Sequence, residues 1–108
     1  EIPLRLVGSE MCIRDSYKAA YNDETPNQFA ADAYDGVKIL AKLIESQKIT
    51  GDMSASDICE KLKAGITAAD FSYDGLTGTG MKWNANGEVS KPPKAVVIKD
   101  GNYAALDN

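Results

Sequence analysis

Histidine is absent from the 108 residues. That removes the usual general base at neutral pH, the commonest metal ligand and every triad built on imidazole. Cysteine occurs twice, too few for a disulfide-rich scaffold or a four-cysteine zinc site. No apolar run approaches the roughly 20 residues that a membrane-spanning helix needs. Lys and Arg number 12 against 16 Asp and Glu and do not cluster, which argues against an electrostatic nucleic-acid surface. What remains is an ordinary globular composition, 44% apolar and 26% charged, with room for one small domain at most. Composition leans against an enzyme. No catalytic residue, metal ligand or cofactor motif stands out.

The first sixteen residues read as a separate segment, 1–16, apart from 17–108. Met11-Cys12-Ile13-Arg14-Asp15 resembles a translation of ATG-TGT-ATA-AGA-GAC, the transposon end of sequencing-library adapters. Leu6 to Glu10 fits CTC-GTG-GGC-TCG-GAG, the adapter stem, in the same frame, and Arg5 and Ser16 complete the neighbouring codons. Glu1 and Ile2 fit the bases before a variable index, which leaves Pro3 and Leu4 as index. The expectation is an adapter-derived artefact that contributes nothing to function and is set aside in reasoning about the fold. Position 1 is then no biological terminus, and 17–108 is expected to be the tail of a longer gene. Cys12 drops out with the segment. Cys59, alone on a helix face, is expected to be a small buried hydrophobe.

Hydrophobic spacing organises the rest as two helices followed by strands. Residues 17–21 read as the end of a truncated helix, and 22–27 as a polar loop in which Pro26 disfavours helix at Thr25. The spacing predicts a helix over 28–46. Its apolar stripe is Phe29, Ala30, Ala33, Tyr34, Val37, Leu40, Ala41 and Ile44, with Asp32, Asp35, Lys38, Lys42 and Glu45 mainly off it. Gly36 inside this helix predicts close approach by another element, a strand. Gly51 supplies the turn of a connector over 47–53. Ser54 caps a second helix with Asp57 at its positive end, Ile58, Leu62 and Ile66 form its buried line, and Gly65 lies near its end. Beyond Asp70 the period changes. Residues 77–83 alternate as a strand, 84–87 turn at Gly87, the two prolines of 90–93 mark a loop, and 95–98 is a β-branched run. Asp100-Gly101 is a hairpin signal leading into 102–106.

Single motifs carry little chemistry. Gly78-Thr79-Gly80 lacks the preceding strand and following helix of a phosphate loop. Residues 84–88 lack the leading Asp and the twelfth-position Glu of a calcium loop. Asp32 and Asp35, three apart with Lys38 and Lys42 nearby, read as a solvated face rather than a catalytic pair. Ser54 and Ser56 have no imidazole partner to make either a nucleophile.

The order of segments says more. Asn27-Gln28-Phe29-Ala30-Ala31-Asp32-Ala33-Tyr34-Asp35-Gly36 resembles a late helix of branched-chain amino acid ABC-transporter substrate-binding proteins. Asp74-Gly75-Leu76-Thr77-Gly78, followed through Trp83 to Gly87, resembles that family's D-G-x-T-G, strand and D-x-x-G region. Lys94-Ala95-Val96-Val97-Ile98-Lys99-Asp100-Gly101-Asn102-Tyr103 resembles its closing hairpin. The resemblance covers nearly all of 17–108, and the larger N-terminal part of such a protein has no counterpart here.

The resemblance implies an α/β fold: the C-terminal fragment of a type I periplasmic-binding fold, two helices followed by β-strands and a closing hairpin. In such folds two lobes close on a ligand beyond the carboxyl ends of parallel strands. It implies an extracytoplasmic location, periplasmic or lipid-anchored. It also implies an amino acid ligand, a membrane permease as partner, and no cofactor. Phe29, with Gln28 beside it, matches a position that lines the ligand's side-chain pocket in some members, and ordinary core packing of a helix start is an equal reading of Phe29. An amino acid or amide-sensing receptor domain of the same fold, a stand-alone interaction module and an enzyme fragment are the competing readings.

Overall fold

The computed structural model describes residues 9–93 and 95–106. The first half of the adapter-like segment, residues 1–8, and Lys94 of the hairpin motif lie outside the described residues. Three helices and a two-stranded hairpin follow one another: α1 (Ser9–Ala20), α2 (Gln28–Ser46), α3 (Ala55–Ile66), β1 (Val96–Lys99) and β2 (Asn102–Ala105). The chain is thus a mixed helix-and-strand protein. Its sheet is one antiparallel pair with Val96 opposite Ala105 and Lys99 opposite Asn102.

Local chemistry sets the helix ends. α1 runs through the 16/17 boundary and stops where Asn22 (φ 52°) and Asp23 (φ 66°) turn left-handed, a conformation that Asn and Asp tolerate better than most residues. The Asp23 amide closes onto the Lys18 carbonyl at 2.8 Å. Asn27 caps α2, its side-chain oxygen accepting from the Ala30 amide at 3.0 Å. At the other end Lys48, rather than the expected Gly51, adopts the left-handed conformation (φ 53°). The Ile49 amide reaches the Ile44 carbonyl and the Lys48 amide the Glu45 carbonyl, the paired bonds of a Schellman termination. Ser54 caps α3 by accepting from the Asp57 amide at 3.1 Å. In the hairpin, Asp100 (φ 52°) and Gly101 (φ 79°) are both left-handed, as a two-residue turn matched to strand twist requires.

Packing departs from the sequence pattern in four places. First, α2 buries Ala31, Asp35, Ile39 and Leu43. Residues turn by about 100° each along a helix, so this row lies opposite the expected stripe. Phe29 is 78% exposed, Val37 68%, Leu40 48% and Ile44 45%. The apolar stripe is real as a pattern, but apart from half-buried Ala30 and Tyr34 the described chain leaves it largely exposed.

Second, Gly36 meets no element: a Cβ there would find nothing within 4 Å. The close crossing is at Gly65, where a Cβ would stand 3.0 Å from Gln47 and Leu43 side-chain atoms, and there α3 packs on α2. Third, residues 77–83 form no strand. Gly80 takes φ 62°, and the chain doubles back so that Tyr73 and Met81 exchange both backbone hydrogen bonds, at 3.0 and 2.9 Å. Trp83 and Val89 make a second isolated bridge. The glycines that were expected to be tolerated in a strand bend the segment into a loop. Fourth, on α3 Cys59 is exposed and the expected buried line of Ile58, Leu62 and Ile66 is only half-buried, Gly65 being the helix's buried residue.

Among the described residues, α1 packs on neither other helix, and the hairpin packs on no helix. The chain measures 50 × 31 × 22 Å with a radius of gyration of 16.5 Å, well above the ~13 Å typical of a compact domain of about 100 residues.

Candidate functional site

The best-ordered polar constellation joins the middle of α2 to the loop 73–81. Asp35 is 3% exposed. Its carboxylate accepts from the Leu76 amide (2.9 Å), the Thr77 amide (2.9 Å) and the Thr77 hydroxyl (2.7 Å). A buried carboxylate is tolerable only when its lone pairs are satisfied, and here three donors converge on it. Gly75 makes the approach possible, since a Cβ at that position would lie 2.6 Å from the carboxylate atoms. The loop closes on itself through the Gly75 amide and the Gly78 carbonyl (2.9 Å), and through the Gly80 amide and the Asp74 carboxylate (2.6 Å). Met81, 2% exposed, lies beneath it, its sulfur 3.8 Å from the Thr77 hydroxyl.

Aromatic and cationic groups flank this clamp. Lys42 donates to the Ser72 carbonyl at 3.2 Å and stands 5.3 Å from the Phe71 ring centre and 5.7 Å from that of Tyr73, within the range of cation–π attraction. The Phe71 and Trp83 rings are 6.0 Å apart. Burial, and then the charge of Asp35, push the Tyr73 phenol above its ordinary value. Lys91 reaches Asp32 at 3.7 Å, tying the segment after the loop back to α2.

Gln28 and Phe29 occupy the first turn of α2, next to the Asn27 cap, and both are exposed. Phe29 is not packed into a core in this chain. It projects about 120° around the helix from Asp35, whereas Gln28 lies on nearly the same face as Asp35 but two turns away along the axis. The apolar concavity between α2 and α3, about 440 Å³, is lined by residues including Leu40, Leu43, Ile58 and Leu62, and by neither Gln28 nor Phe29. No group of three or more Asp, Glu or Cys among the described residues is placed to hold a metal ion. No helix among them is long and apolar enough to cross a membrane.

Sequence reasoning took Asp35 for a solvated residue. The one available signal was the glycine-rich Asp74-Gly75-Leu76-Thr77-Gly78 segment, whose amides need an acceptor. Its distance along the chain from Asp35 hides the pairing.

No family model, curated protein or solved structure matches the chain.

Proposed function

We propose that residues 17–108 are the C-terminal part of the extracytoplasmic solute-binding component of an ABC transporter that captures branched-chain or related amino acids and delivers them to a membrane permease. The observation that carries this reading is the order of three segments: the helix at 27–36, the D-G-x-T-G loop at 74–78 and the hairpin at 94–103. The clamp gives the first two a physical reason to occur together, because Asp35 of the helix holds the amides of Leu76 and Thr77 in the loop.

In this reading the fragment contributes one wall of a cleft and performs no chemistry. Phe29, 78% exposed at the start of α2, is free to face a ligand side chain supplied with its polar contacts by the rest of the protein. Binding small polar ligands requires convergent groups from both sides of a cleft, and the described chain offers one side.

Sequencing the genomic locus without adapters tests the proposal. The reading frame should continue upstream of Tyr17 into a long α/β sequence led by an export or lipoprotein signal, with permease genes adjacent. A frame that opens at or just before Tyr17, or one that continues into an unrelated intracellular enzyme, overturns it.

A further inference from the structure

The α2 stripe is uncovered along most of the helix, and its chemistry points to a specific occupant for this chain in isolation. Phe29, Ala30, Ala33, Tyr34, Val37, Leu40, Ala41 and Ile44 fall within one contiguous arc, with no charged residue among them. The arc is about 140° wide when residues are placed at 100° intervals, as broad as the core-facing side of a buried helix. Phe29, Val37, Leu40 and Ile44 are exposed, while Tyr34 is half-buried with the Lys38 ammonium 5.5 Å from its ring centre. Leu40 also lines the concavity beside α3, so stripe and groove form one continuous apolar surface.

The edges of the stripe carry a self-complementary charge pattern. Lys38 and Glu45 lie seven residues apart, two helical turns, on the same edge. When two helices pack antiparallel, equivalent edges face each other and residues pair about a two-fold axis. A two-fold axis beside Ala41 puts Lys38 of each copy opposite Glu45 of the other. The same register sets Leu40 and Val37 of one copy against Ile44 of the other, with the small Ala41 side chains at the axis. A parallel pairing brings no such match, since each Lys38 then lies level with Lys38.

We infer that the α2 stripe is a homodimer interface, on which a second copy of this chain packs its own α2 antiparallel with Lys38 and Glu45 paired across the two-fold axis. The inference concerns the 108-residue chain itself and does not depend on the transport reading.

Sedimentation equilibrium of the chain over a wide concentration range tests this, with circular dichroism to confirm helix content. The wild-type mass should rise toward twice the 11.6 kDa of one chain. Val37→Glu, at an exposed position that leaves the buried face of α2 intact, should hold the protein at the monomer mass with unchanged helix content. Lys38→Glu and Glu45→Lys should each weaken association several-fold, and the double exchange should restore it. A chain that remains monomeric throughout overturns the inference. So does assembly beyond two copies, or association indifferent to Val37→Glu. Failure of the double exchange to restore association overturns the antiparallel register.

Discussion

Gly75 passes so close to Asp35 that a single methyl group at Gly75 would stand 2.6 Å from the carboxylate. Real Cβ atoms do not approach other atoms that closely, so Gly75→Ala must push the loop off α2 or turn Asp35 away from the Leu76 and Thr77 amides. Overpacking of this kind costs about 1–3 kcal/mol, a large share of a small domain's stability. Urea unfolding should show the loss. In an Asp35→Ala background the same substitution should cost much less, because the atoms it strikes are gone. Equal costs in both backgrounds would mean that the contact is not the cause.

Asp35→Ala leaves two part-buried amides and a part-buried hydroxyl without their acceptor. Each unsatisfied buried donor costs about 1–3 kcal/mol. Asp35→Asn should recover only part of this, because its carbonyl oxygen still accepts while its amide nitrogen turns a donor toward the remaining backbone amide. Hydrogen exchange at Leu76 and Thr77 should accelerate strongly in both variants while amides in the middle of α3 change little. Slow exchange at Leu76 and Thr77 in Asp35→Ala would show that the clamp does not hold the loop.

The clamp also shows where sequence reading succeeds and where it stops. The bounds of α2, the Ser54 cap and the Asp100-Gly101 turn were legible because each depends on neighbours within a few residues. The role of Asp35 was not, because its partners lie 41 and 42 residues away and a carboxylate on the polar side of an amphipathic helix looks solvated. The stripe from Phe29 to Ile44 was legible as apolar, but how much of it stays exposed was not. Periodicity reports which face is hydrophobic, whereas burial depends on what the rest of the chain brings to it. The glycines divide the same way. Gly101 was legible from its dipeptide, but only tertiary contacts distinguish Gly65 and Gly75, which are tightly approached, from Gly36, which is not.

Lys48 occupies the left-handed position that ends α2 (φ 53°). A non-glycine residue there carries a steric cost of roughly 1–2 kcal/mol that glycine avoids, offset partly by glycine's greater chain entropy. Lys48→Gly should therefore stabilise the protein by about 0.5–1 kcal/mol in thermal unfolding. A destabilisation would show that the Lys48 side chain makes a contribution larger than its backbone strain.

Tyr73 should ionise above the ordinary tyrosine value, because burial and the neighbouring Asp35 charge both disfavour its phenolate. The folded-state value is raised above the unfolded one. The associated stability is therefore fully present below the ordinary tyrosine value of about 10 and is lost as pH rises through the folded value. Ultraviolet difference titration should show a late phase that is absent in Tyr73→Phe. A tyrosine titration unchanged by that substitution would contradict the assignment.

Calorimetric titration with leucine, isoleucine and valine tests the transport reading most directly, performed on the 108-residue chain and on the full protein encoded at its genomic locus. The full protein should give saturable one-to-one heat with at least one of the three, weakened by Phe29→Ala. The chain alone should give none, since in that reading it supplies only one wall of the cleft. Saturable micromolar binding by the 108-residue chain alone, or no binding of any of the three by the full protein, would contradict it.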